Sequence, residues 1–250
     1  MRIGRTIALL VALASSAPSV SCSRDGFFRQ FEYEEEIYLE LDGSATIYVN
    51  ASVPALDALR GASFDPAPNA PVDRAAVRAW YTSPVARVTR TPSASRRSGR
   101  RFVHVRLEAA DIAKLSDAVP FAWSTYRFAK EGELFVFRQV VGAPAAKDLG
   151  EVGWKGSETI SFRLHLPSTI VYHNAGPGNP KRGNILVWEQ PLAARLRGEP
   201  LALDARIESR SILSRTLLLF GATGVVVAIV FGIVIWWVVR RGDARPTRPS

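Results

Sequence analysis

The sequence predicts an α+β ectodomain, mostly antiparallel β-sheet with a few short helices, followed by one C-terminal transmembrane helix. Three observations carry this. Apolar and polar residues alternate with a period of two along several segments, two short stretches carry helix spacing with start and stop residues, and residues 216–239 contain no charge. At about 1.5 Å per residue that uncharged run reaches roughly 36 Å, enough to cross roughly 30 Å of hydrocarbon with some tilt.

The first strand is predicted over Phe31 to Asp42. Phe31, Tyr33, Ile37, Leu39 and Leu41 alternate with Glu32, Glu34, Glu36, Tyr38 and Glu40, so one face is apolar and the other reads as a solvated acidic stripe. Asp42-Gly43 turns the chain, and Ala45, Ile47, Val49 and Ala51 form the apolar face of the returning strand. A two-residue loop would put Ile47 on the outer face. A three-residue loop with a glycine bulge keeps Ile37 opposite Ile47, and the bulged form is expected.

Pro54 to Arg60, stopped by Gly61, reads as one or two helical turns, and Ala62 to Pro71 as loop. A helix from Pro71 to Trp80 would place Val72, Ala76, Ala79 and Trp80 on one stripe. Val85 to Arg90 follows as a strand, residues 91–101 as a flexible connection, and Phe102 to Leu107 as a strand with Val103, Val105 and Leu107 inward and His104 outward. Ala109 to Ala118 has a short helical pattern. Phe121 to Ala129 and Glu133 to Val141 form a hairpin around Glu131-Gly132, apolar on both faces and so expected to be central in a sheet backed by a helix layer. The last strands are Ile160 to Leu166, Ile185 to Trp188 and Leu201 to Ile207, with a turn-rich loop at 174–180.

The N-terminus has the order of a secretory signal over residues 1–21: Arg2 and Arg5, the short apolar run Ile7 to Ala14, then Ser15, Ser16 and Ala17. The sole cysteine, Cys22, follows at the position of a lipoprotein lipobox, with Ser19 where an aliphatic residue is usual, and is the expected lipidation site. One cysteine excludes an internal disulfide and a cysteine-rich zinc site. The organisation expected is signal 1–21, extracytoplasmic domain 22–212, membrane helix 216–239 and a short basic cytoplasmic tail 240–250. Arg240, Arg241, Arg245 and Arg248 beyond the span place that tail inside by the positive-inside rule, with Trp236 and Trp237 at the interface.

The net charge of +9 comes with 32 basic against 23 acidic residues and suggests nucleic acid only until it is divided. Two positive charges lie in the signal, three net in the ectodomain, one at Arg215 and three net in the tail, so most of the excess directs secretion and orientation, and no nucleic-acid partner is expected. The excess of Arg over Lys, 27 to 5, fits a GC-rich bacterial genome.

No signature of a metallo-, serine- or zinc-dependent site occurs, and Gly176 to Gly183 lacks the Gly-Lys-Ser/Thr of a phosphate loop. His104 and His165 fall on outward strand positions and His173 beside a loop, as satisfied or solvated residues. The expectation is a chain that is not an enzyme and needs no metal or cofactor. Arg96, Arg97, Arg100 and Arg101 form the strongest charged cluster and are candidates for contact with anionic lipid headgroups at about 1 kcal/mol each. Gly224, Ala228 and Gly232, four apart, give the membrane helix a small-residue face for close packing on a second helix.

Residues 160–240, about a third of the chain, carry a family likeness in Phe162-Arg163-Leu164-His165-Leu166-Pro167, the Asn174-Ala175 turn, Trp188, the strand Leu201 to Ile207 and the span. With the signal and Cys22, this layout resembles LppM-like mycobacterial envelope lipoproteins and related domains of unknown function. The resemblance implies a surface-exposed α+β domain that handles lipid or glycolipid of the envelope without catalysis. The expected partners are membrane lipids, a membrane-protein complex on which the domain docks, or a second copy through the membrane helix. The Pro71 to Trp80 insert and the Arg-rich segment lie outside the resemblance.

Overall fold

A computed structural model describes residues 31–181 and 183–242. The signal 1–21, Cys22 and tail residues 243–250 lie outside the described residues. Among the described residues, eleven strands in two sheets form the framework of the ectodomain.

The chain opens with β1 (Tyr33–Leu39) and β2 (Ala45–Ser52), paired antiparallel with Ile37 opposite Ile47. Glu40 N–H donates to Ser44 O at 2.9 Å and Gly43 N–H to Glu40 O at 3.1 Å, leaving the three-residue loop Leu41-Asp42-Gly43. Gly43 has φ +88°, a left-handed conformation that a bulge requires and side chains resist, so the expected register and turn are both present.

Helix α1 (Val53–Arg60) starts where the Ser52 hydroxyl accepts the Ala55 N–H at 3.2 Å, and ends at Gly61. Helix α2 (Arg74–Tyr81) is capped by Asp73, which accepts from Ala75 and Ala76. Its buried residues are Val77 and Tyr81, whereas Ala76 and Ala79 are exposed, so the expected stripe is rotated. Asp73 sets the start of the helix rather than Pro71, and the larger side chains turn inward.

The strands β3 (Ala86–Val88), β4 (Ser93–Arg97) and β5 (Arg100–Ala109) follow. The segment expected as a flexible connection is therefore an edge strand, turned back at Ser98-Gly99 and paired with β5 from Ser93↔His104 to Arg97↔Arg100. After 3-10 turns at Ile112–Asp117 and Val119–Phe121 comes the hairpin of β6 (Ser124–Glu131) and β7 (Leu134–Val141). The remaining strands are β8 (Thr159–His165), β9 (Ser168–His173), β10 (Ile185–Pro191) and β11 (Leu201–Ser211), with α3 (Leu192–Leu196) between the last two. Helix α4 (Ile212–Gly242) continues from β11 without a break.

The first sheet has the order β10-β8-β1-β2-β5-β3, with β4 beside β3 on the same edge of β5, and the second has the order β6-β7-β11-β9. Pairing is antiparallel except for β1 with β8, where Tyr33↔Ile160 and Tyr38↔His165 run parallel. The sheet is thus mixed. The β6 strand, expected to be central, stands at an edge. Its apolar inner residues face the first sheet and the turn at Ile112–Asp117, so part of the cover expected from a helix layer is a second sheet.

Tyr33, Ile37, Ile47, Val49, Val103, Val105, Leu107, Phe162 and Leu164 supply the inner face of the first sheet. Leu56, Leu59, Val77 and Tyr81 of the helices and Phe137, Leu203 and Ile207 of the second sheet join the same core.

Candidate functional site

The inward phase of β1 carries one residue that breaks its apolar pattern. Glu35 lies between Tyr33 and Ile37 and is 0% exposed. Its Oε2 accepts from Arg60 Nη2 at 2.6 Å and Tyr33 Oη at 2.8 Å, and its Oε1 accepts from Tyr126 Oη at 2.9 Å and Gln139 Nε2 at 3.0 Å. Those donors come from β1, α1, β6 and β7, so one carboxylate joins both sheets and a helix. Arg60 also donates to Pro120 O, and its Cζ lies 4.5, 5.0 and 4.4 Å from the Tyr33, Phe121 and Trp123 ring centroids.

Burial pushes Glu35 up to about 7, against the hydrogen bonds from Tyr126 and Gln139, and pulls Arg60 down to about 10. Four donors on the carboxylate oppose the cost of taking it out of water. With both ionic groups sealed from solvent and facing each other, this constellation binds the layers together and presents nothing to a substrate.

Glu35 is masked in the sequence by its acidic neighbours, although its even spacing from Tyr33 and Ile37 puts it on the apolar face. Glu32 also departs from the solvated stripe: it is 2% exposed, with Oε1 accepting from Arg100 Nη2 at 2.7 Å and Oε2 from Trp154 Nε1 at 3.2 Å.

The outer face of the first sheet carries a polar ladder. Ser95 Oγ meets His104 Nε2 at 2.8 Å, His104 Nδ1 meets Asn50 Oδ1 at 2.9 Å, and Asn50 Nδ2 donates to Glu34 Oε2 at 3.2 Å. Arg163 Nε closes it on Glu34 Oε1 at 3.1 Å. A carboxylate can only accept, so Asn50 presents its oxygen to His104, Nδ1 carries the proton, and Nε2 accepts from Ser95. Burial and the positive charge of Arg97 lower the His104 pKa, in keeping with a neutral ring. One row on, Glu36 Oε1 accepts from His165 Nε2 at 2.6 Å and from Tyr38 Oη at 3.2 Å, while the Tyr38 and His165 rings stack at 3.8 Å. Burial acts to raise the Glu36 pKa, but the hydrogen bond and charge of His165 with Arg163 bring it below the ordinary range. Both histidines are satisfied within the sheet, and no cluster of three metal-ligating side chains occurs among the described residues.

The structure divides the arginine cluster. Arg100 and Arg101 are 9% and 8% exposed, the first on Glu32 and on Gly153 O at 2.7 Å, the second on Asp65 O. Arg96 is exposed and donates to Asn69 Oδ1 at 2.8 Å and to Pro68 O, and Arg97 is exposed. The expectation of four cations in one flexible loop is corrected: Arg100 and Arg101 are the first two residues of β5, and each is buried on its own face of the strand by the partners just named.

Where the ectodomain meets α4, Ser168, the first residue of β9, pairs with Ser211, the last of β11, and α4 begins at Ile212. Within α4 the stretch Phe220–Trp237 has a mean hydropathy of 2.2 and its side chains are exposed, giving one helix long and apolar enough to cross a bilayer. Arg240 Cζ stands 4.9 Å from the Trp236 ring centroid at its far end. Gly224, Ala228 and Gly232 line one exposed face of this helix.

No protein-family model and no curated protein sequence matches the chain. Among solved structures, the folded domain of Mycobacterium tuberculosis LppM, determined by NMR, aligns over 73% of this chain and 92% of its own with 13% identity and a TM-score of 0.41.

Proposed function

We propose that this chain is a non-enzymatic, single-pass envelope protein. It is exported by its signal, lipidated at Cys22, and holds its ectodomain on the extracytoplasmic surface, with the basic tail in the cytoplasm. The observation that carries the reading is the junction: β11, paired on both sides by β7 and β9, runs into α4 at Ile212. A central strand continuous with a membrane helix leaves the domain no slack and keeps it at the lipid surface.

The ligand is lipid, glycolipid or another apolar envelope component, met on the outside of the domain. The space between sheets and helices, where such a ligand could have entered, is filled by packed side chains around Glu35 and Arg60. Native mass spectrometry of the detergent-extracted chain tests the reading. A co-purifying lipid supports it; a stoichiometric protein partner without lipid replaces it with the second reading.

That second reading is an accessory subunit docked on a membrane protein. Val171 and Tyr172, 55% and 46% exposed on the edge strand β9 beside the membrane junction, favour it.

A further inference from the structure

An open groove of about 470 Å³ lies at one end of the first sheet, lined by Glu40, Thr46, Val85, Arg87 and Glu108 among others. We infer that this groove receives the headgroup of a zwitterionic aminophospholipid from the surrounding bilayer; the inference rests on the membrane-tethered reading above.

The groove lies at the end of the first sheet that leads to the membrane helix. His165 at the end of β8 leads through Leu166 and Pro167 to Ser168, which pairs with Ser211 beside the start of α4. Across the first sheet the same end is marked by neighbouring pairs: His165 with Tyr38, Leu39 with Ala45, Ala45 with Ala109, and Ala109 with Ala86. The groove is built on that row, since Ala45, Ala86 and Ala109 line it. The hairpin carrying Arg96 to Arg101 is at the opposite end of β5, nine residues or roughly 30 Å away at about 3.3 Å per residue. A Debye length of about 8 Å leaves charges at that distance little hold on headgroups met by the junction end.

The groove's charged groups suit a zwitterion. Arg87, with its side chain 78% exposed, lies 3.1 Å from Glu108 Oε2, and Glu40 lines the same groove. An exposed pair of this kind contributes little to stability, so its members are free to exchange partners. An ethanolamine phosphate matches the set: its phosphate suits the Arg87 guanidinium, and its ammonium donates up to three hydrogen bonds that the two carboxylates can accept. Pro84, Val85 and Ala86 give an apolar wall for the methylenes between them.

The surroundings set the preference. Asp42 lies in the neighbouring β1–β2 turn, and Asp111 and Asp117 flank the segment that Ile112 N–H ties to Gly43 O at 2.9 Å, with Lys114 as the cation among them. Excess negative charge there disfavours a purely anionic glycerol-type headgroup. Choline, whose ammonium has no N–H, cannot satisfy the two carboxylates.

The test uses the full chain, extracted in detergent and offered phosphatidylethanolamine, phosphatidylcholine and phosphatidylglycerol in native mass spectrometry. Retention of the ethanolamine lipid over both others is expected, with Arg87→Ser and Glu108→Gln each lowering it about tenfold. Equal retention of all three lipids, or unchanged retention in both variants, overturns the inference.

Position is read separately in Cys22→Ser chains reconstituted into vesicles and labelled with a fluorophore at Ala110→Cys or Ser95→Cys. Headgroup-nitroxide lipid is expected to quench the label at 110 more strongly than the label at 95. A Gly232→Cys label probed with acyl-chain nitroxide separates the two failures. If it is quenched while 110 is no closer than 95, the groove inference fails alone; if it is not quenched, the tether itself fails.

Discussion

Glu35 Oε2 lies 2.6 Å from Arg60 Nη2 with both side chains 0% exposed, so an ion pair stands where the two sheets and α1 meet. Removing one member of such a pair strands the other charge in a medium that cannot solvate it, which costs about 3–5 kcal/mol. Arg60→Met and Glu35→Met are each expected to lose that much stability by chemical denaturation. The double variant should lose clearly less than their sum, because neither charge is then left alone. Simple additivity would show that the pair is not coupled.

The divided arginine cluster makes a contrast within one hairpin. Arg100→Ser leaves the buried Glu32 with Trp154 alone and is expected to cost about 1–3 kcal/mol. Arg97→Ser, at an exposed position, should stay within about 0.5 kcal/mol. Equal losses in thermal melts of the two variants would contradict the burial of Arg100.

Gly43 at φ +88° would gain ordinary contacts from a Cβ, with Phe128 Cδ1 at 3.7 Å and Asp111 Oδ1 at 3.9 Å. Space is therefore not the obstacle, and backbone conformation is. Gly43→Ala is expected to cost about 1–2 kcal/mol. A neutral substitution would mean that the β1–β2 turn is not bulged as described.

Two buried carboxyls set a pH dependence. Burial pushes Asp57 from an ordinary 3.8 up to about 6, against its bond from Phe64 N–H and the charge of Lys147, and Glu35 from 4.5 up to about 7. Between the unfolded and folded values the folded state binds more protons, so their contribution to stability is fully present below about pH 4 and is lost as pH rises through 6 and 7. His104, lowered by burial, works in the opposite direction on the acid side of its ordinary 6.5. In urea titrations at a series of pH values, Asp57→Asn should flatten the fall in stability between about pH 4 and 6. An unchanged slope would show that Asp57 does not titrate in that window.

Several of these features were legible in the residues themselves. The alternation of β1 and β2 gave their faces, and the demand that Ile37 meet Ile47 selected the bulge. Gly61 and Glu131-Gly132 marked a helix stop and a hairpin for the same local reason, that the chain must turn there.

What local pattern could not show was the identity of distant partners. Nothing in Ser93 to Arg97 is apolar enough to announce a strand; it is one because β5 offers an unpaired edge. The β9 strand was hidden by an irregular register between Ile207 and Arg206, which leaves Val171 and Tyr172 both exposed and breaks the period of two. The parallel pairing of β1 with β8 and the inward set of Arg100 depend on residues more than fifty positions away. Glu35 was the one buried site residue whose position a strict count along β1 would have revealed.

In the proposed function, α4 anchors the domain directly through β11. Alkaline carbonate extraction of membranes tests it most directly, comparing the Cys22→Ser full chain with the same chain ending at Ser211. The full chain should remain in the membrane pellet and the shortened one should be released. Release of the full chain would contradict the tether.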